Sequence, residues 1–184
     1  MKIHAWIAKH SSISRRQAER YVEQGLVLIN QEKAHIGQKV LGNETIKVRG
    51  QLIHAVDAKT RLLLLNKAPA TVCSHQNEND IPSVLEAVPK LSHGKWLMVG
   101  RLDVMTTGLL LITNDGDLAH HFAHPSHGYI REYLVRVDAE LTDLQVKQLV
   151  QGIEMEEGLA RFEKVTKMRK ASGRNHWYKV VLKQ

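Results

Sequence analysis

Several ingredients are scarce in this sequence, and each scarcity excludes something. A single cysteine, Cys73, leaves no internal disulfide and no thiolate zinc site, which agrees with a reducing compartment. Four prolines and twelve glycines in 184 residues are too few for a collagenous or low-complexity chain. No apolar run approaches the ~20 residues that span a bilayer; aliphatic stretches such as Leu62 to Leu65 reach no more than four residues. Lys9 and His10 interrupt the first apolar residues, so the N-terminus does not read as a secretory signal. The expectation is a cytoplasmic protein with no membrane partner.

What is present is globular and basic. Hydrophobic residues are 43% and charged residues 24%, and the formal net charge is +7. The excess is uneven: residues 1 to 50 hold nine Lys or Arg against four Glu, whereas the remainder holds seventeen against fifteen acidic residues. A dense local positive field makes nucleic acid the first candidate partner, with a solvated basic surface as the bland alternative.

Ser14 can cap a helix and Gln17 can complete a capping box, with Ile13 stapled onto Ala18 and Gly25 as the stop. Ala18, Tyr21 and Val22 then share the buried face, which leaves Arg15, Arg16 and Arg20 toward solvent. Leu26 to Asn30 and Thr45 to Arg49 read as short strands, and the unit closes near Gly50. Residues 51 to 60 read as a linker. Beyond Arg61, buried-type strands at Leu62–Leu65, Trp96–Val99 and Leu109–Thr113 call for cover on both faces. Tyr133 to Val137 alternates like a half-buried strand. Thr142 with Gln145 opens a helix that ends at Gly152, and Trp177 to Leu182 is a last strand. The elements lack regular βαβ spacing, so the fold class is α+β with a mixed or largely antiparallel sheet. The domains are 1–50, a linker at 51–60, and 61–184.

The sharpest chemical stretch runs from Gly100 to Leu110, where Arg101 and Asp103 stand two residues apart between apolar strands. A short, stiff carboxylate there suits a nucleophile or a metal ligand, or it simply orders its own loop. His120, His121, His124 and His127 form a dense cluster, and His120 with His124 would share a helical face. Pro125 breaks that helix and no glutamate lies between them, which disfavours a metal-dependent hydrolase. Cys73 with His75 makes a poor nucleophile pair, because a lone cysteine is usually a small buried hydrophobe. Lys164, Lys167, Arg169, Lys170 and Arg174 form a basic run that suits either RNA contact or a solvated hairpin.

Gly100-Arg101-Leu102-Asp103, the Thr106-Thr107-Gly108-Leu109-Leu110 stretch, Thr113 to Ala119, His124-Pro125 and Arg131-Glu132-Tyr133 resemble, in order and spacing, the RsuA family of ribosomal RNA pseudouridine synthases. Ser14-Arg15-Arg16, Ala18-Glu19 and the Gly25 to Asn30 stretch are similar to the small RNA-binding domain of the S-four type, named after a ribosomal protein, that precedes the catalytic domain there. The wording around Gly100 to Leu111 and Asn175 to Tyr178 is most similar to members that modify the RNA of the large ribosomal particle.

The resemblance implies a synthase that breaks the uracil–ribose bond, turns the base and rejoins it through carbon, with ribosomal RNA as partner and no cofactor or metal. It makes Asp103 the nucleophile or electrostatic partner at the sugar, lays Tyr133 against the uracil, and lets Arg101 fill the space left by an extruded base. It puts Ser14, Arg15, Arg16, Arg20 and Lys67 on the RNA. Asn66-Lys67-Ala68-Pro69 stands where the family shows Asn-Lys-Pro, which alters the loop beside the site.

After its last strand the family continues into a Gly-Arg-Asn-Arg-type segment that gives the aspartate a basic partner. This sequence stops at Gln184, and its own Gly173-Arg174-Asn175 precedes the last strand. The expectation is therefore a truncated catalytic domain of doubtful activity, with a basic-partner-free Asp103. It is otherwise a monomer, whose exposed C-terminal edge, including Val181 and Leu182, invites self-association. The competing reading is a non-catalytic RNA-binding protein derived from such a synthase.

Overall fold

A computed structural model describes residues 1–57, 59–156, 158–169 and 175–183. They form two compact units, Met1–His120 and His121–Gln184.

The first unit begins with α1 (Ile3–His10), whose Ile3, Trp6 and Ile7 recur at i, i+3, i+4 and are buried. Nothing in Lys2 caps this helix, so its start carried no signal in the sequence. Ser14 caps α2 (Arg15–Glu23) by accepting the Gln17 N–H at 3.1 Å. Only this half of the expected capping box forms among the described residues. Gly25, at φ +67°, ends the helix.

Four short antiparallel strands follow: β1 (Val27–Ile29), β2 (Glu32–Lys33), β3 (Ile46–Val48) and β4 (Gln51–Ile53), in the order β2-β1-β3-β4. β4 corrects the expected linker boundary. Val48 pairs with Gln51 across Arg49-Gly50, and both turn residues have positive φ, +51° and +79°, the two-residue turn whose twist suits a hairpin. The arginine hides that turn from a reading that looks for Asn-Gly. Ile3, Ile7, Val27 and Ile46 form the centre of this first core, with Ala18 and Val22 from α2.

Two anchors hold the segment after β4. The Val56 N–H donates to His10 Nδ1 at 2.9 Å. At the far end, Asn114 accepts the Arg61 N–H at 2.7 Å and donates to the Lys59 carbonyl at 3.0 Å, while Thr60 donates to Asp115 at 2.9 Å.

β5 (Leu62–Lys67), β6 (Leu97–Val99) and β7 (Gly108–Thr113) make a second antiparallel sheet in the order β5-β7-β6. Registry puts Leu63, Leu65 and Lys67 opposite Ile112, Leu110 and Gly108 on one face, where Leu110 and Ile112 pack with Val84 and Trp96. The other face presents Leu62, Leu64 and Leu109 at 40, 71 and 65% exposure. Among the described residues of the first unit, the cover on both faces expected from the unbroken leucines is not found. α3 (Gly116–Ala123) follows the turn at Asn114-Asp115.

The second unit contains β8 (Ile130–Val137), α4 (Asp143–Gln151), the hairpin β9 (Ile153–Met155) and β10 (Gly158–Ala160), then β11 (Lys164–Lys167) and β12 (His176–Lys183). Thr142 and Gln145 form the full capping box on α4, and Gly152 closes it at φ +118°. β12 is the middle strand of the antiparallel order β11-β12-β8. The last strand is thus no exposed edge: Val181 pairs with Lys164 on one side and Glu132 on the other. Tyr178 is 2% exposed and its hydroxyl accepts the Leu141 N–H at 2.9 Å. In the basic run, Lys164 and Lys167 lie on β11, and Lys167 pairs with Glu140; Lys170 and Arg174 lie outside the described residues.

All strand pairings among the described residues are antiparallel, so α+β is the class. No helix among them is long and apolar enough to cross a membrane.

Candidate active site and RNA-facing surface

The loop between β6 and β7 starts at Gly100, φ +78°, and returns to the sheet at Gly108, φ +121°. Within it the Thr106 N–H donates to the Asp103 carbonyl at 3.0 Å, folding residues 103 to 106 into a turn. Asp103 and Arg101 are both exposed. Neither side chain has a hydrogen-bond or ion-pair partner among the described residues. Together with Val72, Cys73, Glu78, Leu102 and Val104 they line an open depression of about 610 Å³.

Lys67 holds this loop from below. Its side chain is 1% exposed, and its ammonium donates to the carbonyls of Thr106 at 2.9 Å, Val104 at 3.0 Å and Ala68 at 3.1 Å. An ammonium has three protons, and all three are engaged. The expected contact between Lys67 and RNA is therefore wrong: no donor is left over, and the charge is under the loop. The signal was in the strand parity, since Lys67 continues the inward series Leu63, Leu65. On the other side, Cys73 Sγ accepts the Leu102 N–H at 3.4 Å. The cysteine packs as a small apolar group against the second core and steadies the loop. Asp103 thus stands on a short segment fixed both by β5 and by the Cys73 loop, with its carboxylate turned to solvent.

Tyr133 belongs to the second unit. It lies half-buried in β8, on the sheet face it shares with Val135, Tyr178 and Val180.

The histidine cluster does not build the helical face that its spacing suggested. α3 stops at Ala123, and His124 accepts the Ser126 N–H to cap a 3₁₀ turn, Pro125–His127. His121 Nε2 meets the Tyr129 hydroxyl at 2.8 Å, and its ring centroid is 4.5 Å from that of His127. Among the described residues no group of three or more His, Cys, Asp or Glu side chains could hold a metal ion.

On α2 the side chains of Arg15, Arg16 and Arg20 are exposed. Arg15 turns toward the start of α3, with its guanidinium 3.9 Å from the Asp117 carboxylate. Asp115 stays below the ordinary carboxylate range, first because it accepts the Leu118 N–H, with the Thr60 hydroxyl and the Asp117 N–H adding to it. Its role is to cap α3 and tie down the chain before β5. The motif from Thr113 to Leu118 is thereby accounted for by anchoring.

A small helical and antiparallel module followed by antiparallel sheets, one of which carries an exposed aspartate loop, is an α+β arrangement, and comparisons with known proteins give it a family. Residues 61–184 match the family described as RNA pseudouridylate synthase, and residues 1–46 match the S4 domain. A protein of Pseudomonas aeruginosa named "Ribosomal large subunit pseudouridine synthase B" is 38% identical over 98% of this chain and 48% of its own length. Proteins of the same name from Yersinia pestis and Shigella flexneri are 35% and 36% identical over 98% of this chain, covering 58% and 64% of theirs. A solved structure described as "Crystal structure of pseudouridylate synthase" superimposes with a TM-score of 0.58 at 25% identity, over 98% of this chain and 76% of its own. The chain belongs to the RNA pseudouridylate synthase family. It spans about half to two-thirds of the length of the three named relatives.

Proposed function

We propose that the chain modifies RNA by isomerising a uridine of large-subunit ribosomal RNA to pseudouridine. The observation that carries the reading is the exposed Asp103, without a side-chain partner among the described residues, on a loop anchored from beneath by Lys67. A carboxylate presented this way is available to a substrate and costs no reorganisation to aim. In the reaction the bond from ribose to the uracil nitrogen breaks and a bond to a ring carbon forms; that carbon gives up its proton and the nitrogen gains one, so no atoms are gained or lost. Asp103 acts at the sugar as nucleophile or electrostatic partner, and Tyr133 lies against the base. Arg101, beside Asp103, props the gap left by the extruded nucleotide.

Residues 1–53 dock the RNA and residues 61–184 carry the chemistry. Arg16 and Arg20, one helical turn apart on the exposed side of α2, contact phosphates and so fix position without reading sequence. A protein that works on ribosomal RNA acts in the cytoplasm, here as a monomer.

The test is to incubate the chain with large-subunit ribosomal RNA and map pseudouridine chemically, for the wild type and for Asp103→Asn. Site-specific modification that the asparagine variant loses while still binding RNA supports the reading. Binding by both proteins with no pseudouridine in either reduces the chain to an RNA-binding relative of the synthases.

A further inference from the structure

The depression that holds Asp103 has a second wall, built from the segment between Val72 and Val84, and this wall is ordered by its own hydrogen bonds. The Val72 N–H donates to the Pro82 carbonyl at 2.9 Å and the Val84 N–H to the Val72 carbonyl at 3.0 Å, so the two ends of the segment meet beside Cys73. Ser83 is 5% exposed and donates its hydroxyl to the Ser74 carbonyl. Asn77 accepts the Ser83 N–H at 2.8 Å and donates to Glu86 at 2.9 Å. At the tip, Glu78 and Ile81 exchange backbone hydrogen bonds of 3.1 and 2.8 Å across Asn79 and Asp80. Both turn residues have positive φ, +49° and +63°, a conformation that asparagine and aspartate adopt more readily than most side chains. The turn is thus closed by backbone alone, and holding it makes no use of the Glu78 carboxylate.

That residue lines the same depression as Arg101 and Asp103. Glu78 is exposed, and its side chain has no hydrogen-bond or ion-pair partner among the described residues. The two walls are tied where Cys73 Sγ accepts the Leu102 N–H at 3.4 Å, so Glu78 and Asp103 stand on one connected framework. An ionised carboxylate only accepts hydrogen bonds; it repels phosphate oxygens and gains from a donor. The sugar of an RNA strand offers one donor, the 2′-hydroxyl, because its 3′ and 5′ oxygens are esterified. Asp103 acts at the sugar in the function proposed above, which brings ribose into the depression that Glu78 lines.

We infer that Glu78 is a specificity-determining residue of this site, accepting a hydrogen bond from the 2′-hydroxyl of the target uridine or of a nucleotide next to it. The inference rests on the RNA-acting function proposed above and adds to it a group that tells RNA from DNA at the point of reaction. It also sets how the strand enters: two carboxylates on facing walls turn phosphates away from the depression, and the hydroxyl is what they reward. In the sequence Glu78 stands out only as the neighbour of a turn at Asn79-Asp80, because the loop it faces is brought there by tertiary contacts.

The test uses the full chain and a fluorescently labelled RNA stem-loop with a single uridine in its loop, with affinity followed by anisotropy. The 2′-hydroxyl is removed, one position at a time, from that uridine and from each of its two neighbours. Wild-type binding should weaken about five- to ten-fold at one of the three positions. Glu78→Ala removes a contact and a repulsion together, so the readout is the ratio of ribose to deoxyribose affinity at each position, which a merely structural role would not move at one position alone. In that variant the ratio should fall to within about two-fold at the position the wild type discriminates, while Glu78→Gln, whose amide oxygen still accepts, should keep part of it. Ratios that are the same in the wild type and Glu78→Ala at all three positions overturn the contact and leave the RNA-acting reading intact. Wild-type protein that fails to bind the stem-loop overturns both.

Discussion

The ammonium of Lys67 lies 2.9 Å from the carbonyl oxygen of Thr106, inside the loop that displays Asp103. With Val104 and Ala68 it completes a set of three carbonyl acceptors around one buried cation. Such a charge is tolerated because every proton is matched, and removal of the donor strands the acceptors. Lys67→Met keeps the length of the side chain and deletes its donors. It should cost about 2–3 kcal/mol in urea unfolding and abolish pseudouridine formation, although Lys67 itself does not reach the solvent side of the loop. Stability and activity both within error of the wild type would show that the loop holds its shape without the lysine.

How much of this was legible in the sequence depends on the scale of the signal. The caps at Ser14 and Thr142, the stops at Gly25 and Gly152 and the strands around Leu28, Ile46, Leu64, Leu110 and Tyr133 follow from local chemistry, and they are where that chemistry puts them. Asp103 and Arg101 stood out as polar residues between apolar flanks, and they do share a depression. Lys67 was misread because a basic residue in an RNA-binding protein invites a surface role; only tertiary context decides that its protons go to carbonyls that include two in a loop 37 to 39 residues away. α1 was missed because Lys2 gives no side-chain cap, and β4 because its turn is built from Arg49-Gly50. The middle position of β12 could not be foreseen, since pairing order within a sheet is set by long-range contacts.

The two faces of β5 and β7 give a contrast of matched substitutions. Ile112 is 0% exposed and Leu64 is 71% exposed, though both sit in apolar strands of one sheet. Ile112→Ala leaves a cavity in the packing with Val84 and Trp96 and should cost about 2–4 kcal/mol. Leu64→Gln should change stability by no more than about 0.5 kcal/mol and reduce any self-association seen by light scattering, because it removes exposed apolar surface. Equal losses from the two changes would mean that the Leu64 face is covered in solution.

Asn114 ties the incoming chain to the turn before α3 with two hydrogen bonds, to Arg61 and Lys59. Both are exposed, so Asn114→Ala should cost only about 1 kcal/mol overall. The local effect should be larger than the global one, because segments held by few bonds open first. Limited trypsin digestion should cut after Lys59 and Arg61 faster in the variant than in the wild type, with cleavage elsewhere unchanged. Cleavage rates that do not differ at these two sites would show that Thr60 and Asp115 hold the segment without Asn114.

His10 makes the opposite anchor pH-sensitive. Burial first and the Lys9 ammonium second hold its imidazole below the ordinary histidine value. Its Nδ1 accepts the Val56 N–H at 2.9 Å, a bond that exists only while that nitrogen carries no proton. The folded pKa is below the unfolded one, so the unfolded chain binds more protons in the interval between them and stability rises with pH there. The stabilisation is fully present above the unfolded value of 6.5 and is lost as pH falls through the folded value. His10→Asn removes the titration, and a short amide can still offer an oxygen to the Val56 N–H. The fall in melting temperature between about pH 7.5 and about pH 5.5, which brackets the ordinary histidine range, should therefore be smaller in the variant than in the wild type. His75, which is also lowered, titrates in both proteins and so cancels in the comparison. Equal falls in the two proteins would remove His10 from the acid sensitivity of the first unit.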